Sequence, residues 1–157
     1  MSKLWEPTLV TDAEEIAEVY KFLNTSEFVL GYPDYSIWLE QAREELLKKR
    51  KQACVIRGLE GRVIATVVFQ QDKHDARRIE MKNRRVATDM TRKGFGQSLA
   101  YAVETYAREH GYSAVIVDTH ETNSTSIGSL LKAGFVEEAR QTLYDPNINE
   151  VIMLKRL

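Results

Sequence analysis

Apolar positions along the chain switch between a period near two and a period near 3.6, and the switches outline the elements. Residues 5–10 read as a short first strand. Thr11-x-x-Glu14 is a capping-box pattern, since a hydroxyl and a carboxylate at that spacing satisfy two orphan amides of a helix start. Behind it Ile16, Val19, Tyr20 and Leu23 recur on one helical face. An aromatic-rich loop follows with Phe28, Tyr32, Pro33 and Tyr35, then a second helix with Trp38, Ala42 and Leu46 on one stripe.

The middle of the chain turns to β-branched residues. Residues 53–57 and 63–70 predict a hairpin around a turn at 58–61, and the polar turn 71–76 leads to a strand over 78–86. After a glycine-containing segment, 91–96, a helix runs to about His110 with Phe95, Leu99, Ala102, Val103 and Tyr106 as its apolar face. Gly111 supplies the stop. The continuous apolar run 114–118 predicts a strand buried on both faces. Asn123 can cap a short helix with Ile127, Leu130 and Leu131 inward, ended by Gly134. Strands over 135–144 and 150–155 close the chain around Asp145-Pro146-Asn147. The order β-α-α-β-β-β-α-β-α-β-β defines an α/β fold, a mixed sheet with helices on its faces.

Length narrows this to a single domain over 1–157, with no repeat, linker or low-complexity tract to divide it. A formal charge of -1 lacks the basic excess that tracks a phosphate backbone, so no nucleic-acid partner is expected. The run Lys48-Lys49-Arg50-Lys51 follows Glu40, Glu44 and Glu45 and reads as a solvated helix end. Cys54 is the only cysteine, which excludes an internal disulfide and a multi-cysteine zinc site; no metal is expected. Its apolar neighbours Val55 and Ile56 suit a buried thiol better than a nucleophile. With no signal pattern at the N-terminus and no apolar run near the ~18 residues of a membrane span, the expected location is the cytoplasm, with no membrane partner.

The stretch Val86-Ala87-Thr88-Asp89-Met90-Thr91-Arg92-Lys93-Gly94-Phe95-Gly96-Gln97 sits between a predicted strand and a predicted helix. Two glycines one residue apart allow a tight bend, and the first helical turn leaves amide N–H groups unpaired. Those donors and the positive end of the dipole suit an anion, with Arg92 and Lys93 alongside. No P-loop string occurs, and Leu99 stands where a dinucleotide fingerprint needs its third glycine. Taken alone, such a bend is equally compatible with a structural turn.

This stretch resembles the GNAT superfamily of N-acetyltransferases, whose motif here is V-x-P-x-x-[RQ]-x-x-G-x-[GA]. Val86, Gly94 and Gly96 fall in register, while Thr88 and Thr91 replace the usual Pro and Arg or Gln. Asn123 followed by Gly134-Phe135 resembles a second family block, and Val151-Ile152-Met153-Leu154-Lys155 resembles its last strand. The resemblance implies a mostly antiparallel sheet of six to seven strands flanked by about four helices. It implies acetyl-CoA as co-substrate, with backbone groups of Arg84, Arg85 and Val86 pairing the pantetheine arm. Thr91, Arg92, Lys93, Gly94, Phe95, Gly96 and Gln97 would hold the pyrophosphate, and Asn123 would approach the pantetheine or simply cap its helix. A backbone N–H at a bulged end of the strand over 78–86 would polarise the thioester carbonyl.

An acceptor ammonium with a pKa near ~10.4 must lose a proton before attacking a thioester. Glu80 matches the place of the general base in histone-type members, where burial would raise its pKa; a strand glutamate pairing Lys82 or Arg84 is the plainer alternative. Asp118 and His120 are alternative candidates for proton acceptor, although a turn-capping Asp and an exposed His are the plainer readings of the two. Leu130 stands where the family commonly has a tyrosine acid for the departing thiolate. For a thiol of pKa near ~8.5, unprotonated departure costs roughly 2 kcal/mol at neutral pH, which slows transfer without abolishing it. Tyr144 or a water is left to supply that proton. The acceptor, a small-molecule or peptide amine, would enter between the Phe28–Tyr35 loop and the last two strands, and a homodimer is compatible with this reading. Two alternatives stay open: a non-catalytic acyl-CoA-binding regulatory module, and an interaction domain on the same fold.

Overall fold

The computed structural model describes residues 3–29 and 34–157. The strands are β1 (Pro7–Leu9), β2 (Gln52–Arg57), β3 (Val63–Gln71), β4 (Arg78–Val86), β5 (Ala114–His120), β6 (Val136–Gln141) and β7 (Glu150–Arg156). The helices are α1 (Ala13–Leu23), α2 (Ser26–Val29), α3 (Tyr35–Leu47), α4 (Phe95–Glu109) and α5 (Ser124–Lys132). Among the described residues the strands form one seven-stranded sheet in the order β1-β2-β3-β4-β5-β7-β6. Its pairings are antiparallel except β4 with β5, which the crossover through α4 makes parallel. This is the mixed α/β sheet that the element order implies, and the mostly antiparallel arrangement that the resemblance implies.

Strand alternation sends side chains to two separate cores. Cys54, Val67, Phe69, Ile79, Met81, Val115, Val117 and Met153 meet Leu99, Val103 and Ala107 of α4 on one face. Ala53, Val55 and Val68 meet Ile16, Val19, Leu23, Leu39 and Leu46 of α1 and α3 on the other. Each fully buried aliphatic contributes ~1.5–3 kcal/mol, so the two-sided burial of β2 and β3 makes this half of the sheet the rigid platform. Glu104, 4% exposed, pins α4 across the sheet by pairing with Lys155 of β7 at 2.8 Å. Lys155 also donates to Ala133 O at the end of α5.

Several boundaries differ from the sequence reading. The first strand shrinks to Pro7–Leu9, because Trp5 takes a left-handed backbone (φ 67°). The α1 cap is Asp12, whose Oδ1 accepts from Glu15 N at 2.8 Å, and Glu15 Oε1 reaches back to Thr11 N at 3.1 Å. The capping box therefore sits one residue later than Thr11-x-x-Glu14. Phe28 and Tyr35 are helical, whereas Tyr32 and Pro33 lie outside the described residues. Leu131 is exposed at 53%, not inward, because Leu130 and Ile127 take the face of α5 that packs on the core. Strand β5 extends to His120, and β6 covers only Val136–Gln141.

The basic run is a helix end at Lys48–Arg50, but Lys51 is 5% exposed. It pairs with Glu45 at 3.4 Å and donates to Gln70 Oε1. Burial lowers its pKa against the pull of Glu45.

Candidate active site

Strands β4 and β5 are paired from Arg78–Ala114 to Met81–Val117 and then separate. Beyond that point β4 stays on β3 through Val86, and β5 stays on β7 through His120. The facing edges of residues 82–86 and 118–120 are thus open to each other. A β-bulge coincides with the parting: Val68 opposes Asn83 and Phe69 opposes Met81, leaving Lys82 as the extra residue. The bulge reverses the alternation of β4. Glu80, Lys82, Asn83 and Arg85 share the face of α1 and α3, while Arg84 turns toward α4 and α5.

Carboxylates gather on the first of these faces. Glu80 accepts from Lys82 Nζ at 2.6 Å, so its partner is Lys82 and not Arg84. Asp118, one residue past the last β4–β5 pair, is hydrogen-bonded to the Tyr144 side chain. Burial holds the Asp118 carboxyl above its usual range, although Lys82 and Tyr144 pull it down. Glu150, 1% exposed, meets His120 Nε2 at 2.9 Å. Its other oxygen, Oε2, is buried without a hydrogen-bond partner among the described residues. Burial, and then the nearby charge of Asp118, pushes Glu150 up to about 7. Burial and the same carboxylates raise the Tyr144 hydroxyl well above its ordinary value, so it keeps its proton and donates. The cluster can accept a proton near neutrality, as deprotonation of an ammonium requires.

Helix α2 and the start of α3 flank this face. Tyr35, 6% exposed, donates to Leu23 O at 3.0 Å and accepts from Asn83 Nδ2 at 3.1 Å, fastening α3 to the bulge. The Arg85 guanidinium lies over the Phe28 ring at 5.3 Å and donates to Asn83 Oδ1.

On the opposite face the glycine bend opens α4. Gly94, at φ 83°, caps the helix without a side-chain hydrogen bond, and the first intrahelical bond is Ser98 N to Gly94 O. The N–H groups of Phe95, Gly96 and Gln97 therefore have no acceptor among the described residues. Thr91, Arg92 and Lys93 form the exposed approach, with Arg92 left-handed at φ 63° and Thr91 Oγ1 donating to Thr88 O at 3.1 Å. Trp5 stacks on Phe95 with centroids 6.0 Å apart and supports the bend from the N-terminal segment. Asn123 caps α5, its Oδ1 accepting from Ser126 N at 3.1 Å, and stays exposed.

Arg84 reaches between the first turns of both helices. It donates to Gly96 O at 2.9 Å and approaches Ser126 Oγ at 3.4 Å and Ser129 Oγ at 3.5 Å. Burial pulls its pKa from 12.5 to about 10, so holding the cation there costs on the order of 3 kcal/mol. Cys54 is buried and its thiol is pushed up to about 12, which removes it as a nucleophile. A concavity of about 720 Å³ along the flanks of α4 reaches Gly94 and Gln97 but is not lined by Glu80, Asp118 or Glu150.

Bare amides at the bend and an unpaired strand edge leading from it to the parting fit an extended acyl carrier with an anionic end. Two residues of the site escaped the sequence reading. The Arg84 side chain was hidden by the bulge, and nothing local to Glu150 marks it apart from its place at the head of the last strand.

The sequence profile described as the Acetyltransferase (GNAT) family matches residues 16–135. The chain belongs to that family, and its enzyme class is that of an acetyltransferase. No curated protein matches the sequence. Among solved structures it is similar to the ribosomal-protein-alanine N-acetyltransferase of Brucella melitensis, at 18% identity and a TM-score of 0.73 over 96% of this chain and 99% of that one. It is similar to nourseothricin acetyltransferase at 22% identity and a TM-score of 0.64, over 69% of this chain. A Bacillus anthracis protein described as a streptothricin acetyltransferase, solved with acetyl coenzyme A, gives 14% identity and a TM-score of 0.62 over 69% of this chain. The chain spans 66% and 63% of the length of those last two. At such identities the likeness is one of fold, and the fold serves acceptors of very different kinds.

Proposed function

We propose that this chain, acting as one N-acetyltransferase domain, moves an acetyl group from acetyl-CoA to an amine by direct attack on the thioester. The observation that carries the reading is the parting of β4 and β5, with proton acceptors on one face and unpaired amides on the other. Acetyl-CoA supplies an activated acetyl group. The residues from Thr91 through Gln97 hold its diphosphate through the free amides, and the open edge of Arg84, Arg85 and Val86 offers backbone partners to the arm beside Asn123. The bulge at Lys82 leaves backbone N–H groups out of the ladder, where one can polarise a carbonyl.

Asp118 takes the proton of the incoming ammonium, since it stands at the parting and burial raises its basicity toward the useful range. Glu80 with Lys82, and Glu150 with His120, hold the surrounding charge, and Tyr144 orients Asp118 through its hydrogen bond. This divides the work among three carboxylates, where the sequence pattern pointed first to Glu80.

Thiol release from acetyl-CoA across a panel of small amines and peptide N-termini tests the reading, alongside thermal shift. Acetyl-CoA at about 100 times its Kd should stabilise the fold by ~2.7 kcal/mol. Release with at least one amine is the expected result. Stabilisation without release from any acceptor favours the non-catalytic binding module, a reading that Leu130, fully buried and unable to donate a proton, keeps in view. Neither shift nor release would remove both.

A further inference from the structure

Glu150 is the least settled charge of the site. Its Oε1 meets His120 Nε2 at 2.9 Å, while Oε2 is buried without a hydrogen-bond partner among the described residues. A buried acceptor left unpaired is destabilising, and a donor placed beside it removes that penalty.

Strand register decides where Glu150 stands. Val115, Val117, Val151 and Met153 join the core under α4, so Asp118, His120 and Glu150 share the opposite face. The core under α1 and α3 takes no residue from β5 or β7, so this part of the face lies outside it. The Tyr144 hydroxyl bonds Asp118 and also feels the charges of Glu80 and Glu150, which sets the three carboxylates around one point. Formal charge is unbalanced there. Lys82 neutralises Glu80 at 2.6 Å, whereas His120 is charged only when protonated. Lys51 is taken by Glu45 and Gln70, and Arg85 by Asn83 and the Phe28 ring. Asp118 and Glu150 are thus left without a lysine or arginine ion pair among the described residues. Only one of the two is needed to take the proton of an attacking amine.

We propose that the acceptor is a short aliphatic diamine, whose reacting nitrogen lies beside Asp118 and whose second nitrogen, an ammonium, docks on Glu150. This specificity rests on the acetyltransferase reading above. Spacing sets the length of the acceptor. His120 is two residues beyond Asp118 on β5 and opposite Glu150 in register, so the two carboxylates are separated by about 7 Å along the strands. Two nitrogens on an extended four- or five-carbon chain are roughly that far apart, from bond lengths near ~1.5 Å. The docked ammonium donates to Oε2, keeps its proton and takes no part in the bond changes at the other end. Burial and the charge of Asp118 push the Glu150 carboxyl up to about 7, so an adjacent ammonium draws it into the ionised form near neutrality. An acceptor with a carboxylate in place of the second ammonium meets repulsion from the same group.

The test uses wild type and Glu150→Gln with acetyl-CoA and three matched acceptors: 1,4-diaminobutane, butylamine and 4-aminobutyrate. For wild type, kcat/KM should be about 10- to 100-fold higher for the diamine than for butylamine, the scale of one charge-assisted hydrogen bond, and lowest for 4-aminobutyrate. In Glu150→Gln the ratio of diamine to butylamine should fall to within about threefold, mainly through a higher KM for the diamine. A general loss of stability would lower both acceptors and leave their ratio alone. Equal use of diamine and butylamine by wild type, or a preference for 4-aminobutyrate, would overturn the proposal without any variant. A ratio that survives in Glu150→Gln would overturn the role of Glu150. Thiol release with none of the amines strikes the acetyltransferase reading itself, whereas release with all of them at equal efficiency strikes only the diamine specificity.

Discussion

The two faces of the sheet at the parting of β4 and β5 are built from opposite charge and held by opposite means. Glu80, Asp118 and Glu150 come from three strands and are kept close by Lys82, Tyr144 and His120, so each carboxylate has a local partner. Across the sheet, positive character comes from Arg84 and bare amides, with no carboxylate among the described residues to neutralise the guanidinium. On the carboxylate face only Glu150 Oε2 is buried without a hydrogen-bond partner among the described residues. On the second face Arg84 is held by one carbonyl and two hydroxyls, and the amides of Phe95, Gly96 and Gln97 are unpaired among the described residues. In the proposed reaction one face handles the proton and the other holds the acyl carrier, and a single extra residue in β4 separates them.

The largest separation of the faces should come from Asp118→Asn. Losing the proton acceptor should lower kcat by about 10²–10⁴-fold while leaving the thermal shift with acetyl-CoA intact. A fall in acetyl-CoA binding instead would merge the two faces into one site. Gly94→Ala works from the other side. The glycine sits at φ 83° with open space around a built Cβ, so the cost is backbone strain of about 1–2 kcal/mol and not a clash. Urea unfolding should show that loss, and steady-state kinetics should show a several-fold higher KM for acetyl-CoA with kcat nearly unchanged.

Glu150 gives a subtler contrast, readable without substrate. Its carboxyl is raised from 4.5 to about 7 in the folded chain, so the folded state binds the extra proton between those values. Stability should be highest with Glu150 protonated and should decline as pH rises from about 4.5 through about 7. Glu150→Gln should flatten that part of the pH–stability curve; an unchanged slope would assign the decline to other groups. The smallest effect belongs to Cys54→Ala. The thiol lies in the core under α4, outside both faces, so kcat and KM should stay within about twofold while stability drops by about 1 kcal/mol. Native protein should also resist thiol reagents.

Much of this was legible along the chain. Local periodicity gave the element order, since amphipathic stripes and β-branched runs report burial residue by residue. The bend at Gly94 and Gly96 and the cap at Asn123 were equally local, being set by backbone freedom and by one side chain meeting an amide three residues on. What the sequence could not carry was the consequence of register. A bulge at Lys82 depends on how β3 and β4 are matched, and one residue of slip sends every later side chain to the other face. That is why Arg84 reads as a neighbour of Glu80 in sequence and stands behind it in space. The meeting of Asp118, His120 and Glu150 likewise needs β5 and β7 laid antiparallel, with His120 opposite Glu150, a pairing between segments thirty residues apart in sequence. Local chemistry determined the elements and the glycine bend with its unpaired amides; only the closed sheet decided which charges face one another.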